Sequence, residues 1–355
     1  MPELFVTNFN RNFTGVSATA ANVVRRQGAD FDLRLVGHPL PGCPAPISPG
    51  AARALCRTPP PGRPFAIWHV RRNPEMRAAL WARDVLRLPV RIVFTSAAQR
   101  RHSAFPRWLI SRMDAVIATT ARAAEFVPHV RAVVPHGVDT DLFRPAPDRA
   151  GAWAALGHGG SMGIATIGRI RPEKGTDLFV EAMLRLLPGL PGAVALVVGR
   201  AAKEHRRFEL DLKDRVQRAG LMGRIRFVGE VAASDLPVLM RALSLVMQLP
   251  RYEGYGMVPL EGMASGVPFI GSETGYFQTF SQRGSCGIVV PSETATAAAE
   301  MARDILSDPD RHATMAAASR AVAAARFSAA AEAQGIAGVY RTLWEQPPEA
   351  RFRNI

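Results

Sequence analysis

Lysine is almost absent from this chain. Of its 44 basic residues only Lys174, Lys203 and Lys213 are lysine, so a lysine inside a glycine-bounded loop is a pointed choice. Cysteine is scarce too. Cys43, Cys56 and Cys286 show no metal-binding spacing, and an odd, scattered set suits reduced thiols rather than a disulfide framework. No apolar run reaches the length that crosses a bilayer. The start, Met-Pro-Glu-Leu-Phe-Val-Thr, lacks the basic and apolar regions of a secretory leader, so no signal peptide is expected. Aromatic residues make up only 7% of the chain, and no helix-turn-helix, zinc or RNA-binding motif is visible, which disfavours a nucleic-acid binder. Acidic residues are thin in the first part. Residues 1–150 carry 21 Lys/Arg against 10 Asp/Glu, whereas residues 151–355 carry 23 against 20. A basic first half suits an anionic partner: membrane lipid, a phosphorylated glycolipid or nucleic acid.

Two stretches carry chemistry. In Arg251-Tyr-Glu-Gly-Tyr-Gly-Met-Val-Pro-Leu-Glu-Gly-Met-Ala-Ser-Gly-Val-Pro268, two carboxylates flank a glycine loop that runs into a helix. Gly254 and Gly256 let the backbone approach a ligand, Pro259 suits the first helical position, and Gly266 with Pro268 reads as a stop. Glu253 is thus expected on the loop and Glu261 in the first turn. The amides near Gly256, Met257 and Val258 would face an anion, helped by the helix dipole. In Ile164-Ala-Thr-Ile-Gly-Arg-Ile-Arg-Pro-Glu-Lys-Gly175, a strand ends at Gly168 and two cations, Arg169 and Lys174, follow five residues apart. Such a pair can clamp a diphosphate, arginine by its fork and lysine as a point charge.

In their order these stretches resemble the retaining, nucleotide-sugar-dependent glycosyltransferases of family 4. That family shows a Gly-Arg loop with R-x4-K spacing, a strand ending Phe-x-Gly, and E-x7-E. The counterparts are Gly168-Arg169 with Lys174, Phe227-Val-Gly229, and Glu253 with Glu261. Val134-Pro-His-Gly-Val-Asp139 is similar to the family's Pro-Asn-Gly-Val-Asp segment, with His136 in place of Asn. Trp68-His-Val-Arg-Arg-Asn-Pro-Glu-Met76, Phe94-Thr-Ser-Ala-Ala-Gln-Arg-Arg-His102 and Ser111-Arg-Met-Asp-Ala-Val-Ile-Ala-Thr119 further resemble lipopolysaccharide-core mannosyltransferases of alphaproteobacteria. The resemblance implies GDP-mannose as donor and a Kdo-bearing lipid A core as acceptor. The arginine clusters predict peripheral attachment at the cytoplasmic face of the inner membrane. The resemblance also implies that Arg169 and Lys174 hold the diphosphate, Glu261 a ribose hydroxyl pair, and the backbone at Val228 and Gly229 the base. Glu253 lies near the donor sugar, to orient a hydroxyl or to stabilise charge at the anomeric carbon. No cofactor or metal is expected, since Arg169 and Lys174 supply the positive charge. Asp30-Phe-Asp32 and Asp139-Thr-Asp141 are set aside as accidental matches to a metal-binding pair. No nucleophile and acid pair stands out for double displacement, which favours front-face substitution.

The fold expected is α/β, with two Rossmann-like parallel-sheet domains facing across a cleft, the GT-B arrangement. Strand-like runs near 4–9, 32–36, 65–69, 90–95, 114–118 and 131–134 build the first domain. Runs near 162–168, 194–198, 224–228, 243–247, 268–271 and 287–290 build the second. Helices fall between them, as a parallel sheet requires. Helices are expected around 74–86 and 103–112, and Pro39–Pro64 reads as mostly irregular. The first domain is placed at 1–147, where the acceptor would bind. The second is placed at 148–339, with a helix at about 340–355 returning to the first. Gly15, after the first strand, could face the donor phosphate or form a plain turn. His69, Arg71, Arg72, Arg100, Arg101 and His102 lie near strand ends and are the candidates for acceptor binding. The family's sugar-side histidine has no clear counterpart, because Phe94–Gln99 ends without one until His102. Alternatives are UDP-glucose, UDP-galactose or ADP-heptose as donor, and a nucleotide-sugar epimerase.

Overall fold

Apolar runs without alternation belong in strands covered on both faces. Ala193-Val-Ala-Leu-Val-Val198 is the clearest, buried at every position. The computed structural model describes residues 1–12 and 14–345. Twelve strands appear among them, in two all-parallel sheets of six. The first holds β1 (Leu4–Asn8), β2 (Leu33–Gly37), β3 (Ala66–Val70), β4 (Val90–Ser96), β5 (Ala115–Ala118) and β6 (Val130–Val133), in the order β2-β1-β3-β4-β5-β6. The second holds β7 (Met162–Ile167), β8 (Ala193–Val198), β9 (Ile225–Gly229), β10 (Leu245–Gln248), β11 (Phe269–Ser272) and β12 (Gly287–Val290), in the order β12-β11-β10-β7-β8-β9. In each sheet the chain starts inside and winds outward both ways. The order therefore reverses beside β1 and beside β7, and in open parallel sheets ligands bind off the carboxyl ends of the strands at that switch.

The chain forms two units, one of Met1–Gly137 with the residues from Phe327 on, the other of Val138–Arg326. The first boundary thus precedes 147. Residues after Gly137 go with the second unit because Arg320 Nη1 donates to Thr140 O, Phe143 O and Ala264 O at 3.0, 3.0 and 2.8 Å. The return begins at Phe327 rather than near 340. The helix Ala329–Glu345 buries Ile336, Ala337, Tyr340 and Leu343 among residues of β1 and β2, and Trp344 Nε1 donates to Phe65 O at 3.0 Å. Positions 346–355 of the expected final helix lie outside the described residues.

Two local readings gain detail. Within the stretch expected to be mostly irregular, Pro49–Leu55 is helical, because Ser48 Oγ accepts from Ala51 N and Pro49 takes a first-turn position. The expected helix 74–86 is an α-helix, Asn73–Leu80, followed by a π-helical turn, Trp81–Val85.

Glu75 fixes the switch of the first sheet. Its carboxylate is fully buried. Oε2 accepts from Thr7 Oγ1 (3.0 Å), Arg71 N (2.7 Å) and Arg72 N (3.2 Å), and Oε1 from Phe9 N (3.1 Å) and Arg72 Nη1 (3.0 Å). Arg72 extends the network to Asn8 Oδ1 and Ser17 Oγ. One carboxylate thereby ties the ends of β1 and β3 to the helix Gly15–Gln27. Its removal leaves a half-buried guanidinium and several amides unsatisfied. Glu75→Ala is expected to lower unfolding stability by about 3–5 kcal/mol, read as a shift of the denaturant midpoint. An unchanged midpoint would show that the network carries no stability.

Candidate active site

The second unit assembles a polar site at the ends of β7 and β10. Gln248 Nε2, on the last residue of β10, donates to Ile167 O, on the last residue of β7, at 3.3 Å. Beyond β7 the chain turns at Gly168 (φ +148°) and passes Arg169 into a short 3-10 turn, Pro172–Lys174. Gly175 then takes the left-handed region (φ +65°), where a β-carbon would strike Leu249 O in the strand-end loop of β10. Only glycine permits that approach, and it brings the two loops together.

Arg251 locks them. Its guanidinium makes a forked pair with Asp177 at 2.9 and 2.8 Å, reaches Glu293 at 2.8 Å and donates to Pro172 O at 2.5 Å. Its backbone amide donates to Glu173 O at 3.0 Å. Its hydrogen bonds to Asp177 hold its pKa above the ordinary value.

Within this frame Lys174 Nζ meets Glu253 Oε2 at 2.6 Å, and both side chains are half-buried. Glu253 Oε1 accepts from Gly254 N at 2.9 Å. Both carboxylate oxygens are thereby engaged. Arg169 is exposed in the loop that leads from β7 to Lys174, and Gly168 is open to solvent beside it. Of residues 169, 174 and 253, the structure brings Lys174 and Glu253 into direct contact, and Arg169 lies in the loop that leads to Lys174.

The glycine loop ends as the helix Met257–Ala264, with Gly256 (φ +107°) as its N-cap and Phe277 filling the space where a side chain would stand. Met257 and Val258 are its first two residues, so their amides have no partner one turn back. Pro259 is the third helical residue rather than the first, still within the turn that needs no amide. Glu261 is the fifth, just past the first turn expected for it. It is buried, its side chain has no hydrogen bond or ion pair among the described residues, and burial pushes its pKa up to about 8. At pH 7 the carboxyl is therefore mostly neutral. Val228 and Gly229 are half-buried at the end of β9. Gly199 N donates to Gly229 O at 2.7 Å.

In the first unit the expected acceptor residues divide. His69 is corrected: it is fully buried, with Nδ1 at 2.5 Å from the Tyr340 hydroxyl and Nε2 at 2.7 Å from Thr95 Oγ1. Both ring nitrogens serve the core, and burial holds its pKa well below the ordinary value. Arg72 is committed to Glu75. Arg71 is buried and none of its guanidinium nitrogens finds a hydrogen-bond partner among the described residues. Burial lowers its pKa, against the opposing charges of Tyr340, Glu332 and Glu75. Arg100 and Arg101 are exposed, whereas His102 is half-buried and held low by burial and by Arg100. Gly15 opens its helix at the surface. His136, in the Pro-His-Gly-Val-Asp segment, bonds Glu332 at 2.7 Å, while Gly137 N donates to the other oxygen at 2.8 Å. Asp32 pairs with Arg34, and Asp139 accepts from the amides of Asp141 and Leu142.

The chain is similar to known proteins over most of its length. Residues 159–322 match the model of the glycosyl transferases group 1 family. The lipopolysaccharide core biosynthesis mannosyltransferase of Rhizobium meliloti is 40% identical over 96% of this chain and 97% of its own length. The enzyme of the same description from Rhizobium leguminosarum is 37% identical over 96% of each. Among solved structures, HepE of Anabaena in complex with UDP and glucose has a TM-score of 0.82 at 17% identity, covering 97% of this chain and all of that one. That likeness shows the GT-B fold.

Glu261 gives a pH signature. An unfolded carboxyl ionises near 4.5, whereas the buried one holds its proton up to about 8. Between those values the folded chain binds more protons than the unfolded one, so this group's contribution to stability declines as pH rises and levels off above about 8. Glu261→Gln is expected to flatten that part of the stability–pH curve in thermal unfolding. An identical slope in both proteins would refute the assignment.

Proposed function

The chain belongs to the glycosyltransferase group 1 family, and on that premise we propose a retaining α-mannosyltransferase that carries mannose from GDP-mannose to the Kdo-lipid A inner core of lipopolysaccharide. The observation that carries this reading is the Lys174–Glu253 pair at the switch of a family-matched sheet. Identity of 40% over nearly the whole length with a core mannosyltransferase supports the donor and acceptor.

In the proposed reaction Arg169 and Lys174 hold the diphosphate and stabilise the charge that grows as the nucleotide leaves. Lys174 spends one of its three ammonium protons on Glu253 and has two for the ligand. The amides of Met257 and Val258 add neutral donors at a helix N-terminus. Glu261 takes the ribose hydroxyl pair, and the backbone at Val228 and Gly229 meets the base. Glu253 has both oxygens occupied, which suits orientation and charge stabilisation rather than attack on carbon. Front-face substitution follows. The acceptor oxygen bonds to the anomeric carbon, the carbon–phosphate oxygen bond breaks on the same face, and the departing phosphate oxygen takes the acceptor proton. The two cations take the role a divalent ion fills elsewhere, so turnover is expected to persist in a strong chelator. No described helix is long and apolar enough to cross a membrane, and the basic first unit supports peripheral attachment at the cytoplasmic face.

The test is transfer by purified protein across a panel of nucleotide sugars with a Kdo-lipid A acceptor. Mannose transfer from GDP-mannose with an α product is the expected result. Turnover with UDP-glucose, UDP-galactose or ADP-heptose alone would reject the mannose assignment, and donor consumption without acceptor would indicate an epimerase. Lys174→Met is expected to cut kcat by roughly 10²–10³, the cost of removing one preorganised charge-stabilising contact, with the fold retained.

A further inference from the structure

The first unit exposes large apolar side chains that its core does not use. Trp81, Val85 and Leu86 lie on and just after the π-helical turn, and Phe105 and Trp108 stand on the helix Ala104–Ser111. Val85 is 63% exposed and Trp108 53%. The two elements are neighbours, because Trp81, Phe105 and Trp108 line one groove of about 540 Å³ with Pro74, Arg77 and Leu80. The Phe105 and Trp108 rings stack at 6.2 Å. Leu109 and Ile110 of the same helix are buried in the core, Leu109 also lining the groove. The outward aromatics are therefore surplus to folding, and a clustered apolar surface of this kind marks an interaction site.

Charge identifies the occupant. Residues 71–112 contain ten arginines and only two carboxylates, Glu75 and Asp84. Glu75 is buried in its own network, and Asp84 is paired with Arg83 and Arg112. Arginines also cover the rings, Arg53 lying 4.7 Å from the Trp81 centroid and Arg112 5.4 Å from that of Trp108. Tryptophan and phenylalanine beside bare Val85 and Leu86, rimmed by guanidinium groups, match a bilayer interface. The rings settle at headgroup depth, the aliphatic side chains reach the acyl boundary, and arginines meet phosphates. A base-stacking site would have no use for the aliphatic pair.

We propose that this patch, centred on Trp81, Phe105 and Trp108, docks the protein onto an anionic lipid surface. The assignment deepens the peripheral attachment proposed above and rests on it. It makes attachment a property of particular rings rather than of net charge alone.

The chain supplies its own probe. Trp68, Trp153 and Trp344 are buried, so Trp81 and Trp108 are the two exposed tryptophans of its five. Full-length protein is titrated with vesicles of phosphatidylcholine containing 30% phosphatidylglycerol, with phosphatidylcholine alone, and with a single-stranded oligonucleotide. Expected is a blue-shifted emission with loss of iodide quenching on the anionic vesicles only, weakened by salt. The triple substitution Trp81→Gln, Phe105→Gln, Trp108→Gln should lower co-sedimentation by roughly tenfold for each ring removed, with turnover on a water-soluble core acceptor unchanged. Trp108→Gln alone, at the most exposed ring, serves if the triple variant unfolds. Absence of binding by the parent protein would overturn peripheral attachment and the patch together. Binding that survives the substitutions would overturn the patch alone. Protection by the oligonucleotide but not by vesicles, or self-association abolished by the same substitutions, would assign the surface to another occupant.

Discussion

Two loops leave neighbouring strands of one sheet, and the polar site of the second unit depends on their being held against each other. Arg251 does this with its side chain on Asp177 and Glu293 and its backbone on Glu173. Gly175 permits it by leaving room for Leu249 O. Lys174 and Glu253, far apart in sequence, then meet at 2.6 Å without either having to search for the other. An isolated pair with this exposure adds little to stability. Its value is positional: a cation and an acid stand ready where the strand order reverses.

Three buried acids show how surroundings set the role of one functional group. Glu75 is surrounded by amides and a guanidinium, and it ties together strand ends. Glu332 joins His136 and Gly137 N, and it fastens the returning helix. Glu261 has neither kind of neighbour and is kept protonated by burial. The first two are structural because their oxygens are already satisfied within the fold. The third has no such partner among the described residues.

Much of this was legible in the sequence. Every strand was found to within a residue or two, because uninterrupted apolar runs such as Ala193–Val198 between glycine turns admit few other readings. Lys174 stood out because lysine is rare here, and Glu253 because glycines surround it. The hidden part was partnership. Arg251 is one arginine among many, and nothing local ties it to Asp177. His69 sits at a strand end, where a ligand contact is as plausible as a core one until Tyr340 arrives from 271 residues away. The π-helical turn at Trp81–Val85 was hidden too, since its residues continue the preceding helical pattern. Long-range contacts decide such cases, and spacing along the chain does not encode them.

The returning segment has a consequence for biogenesis. Gln27, His136 and Phe65 each hold a hydrogen bond to residues beyond 331, so the first sheet lacks part of its interior until the last of those residues leaves the ribosome. The intervening unit, Val138–Arg326, is contiguous and can close by itself as it emerges. The half that is synthesised earliest is thus the half completed last, and it waits with apolar surface uncovered during translation.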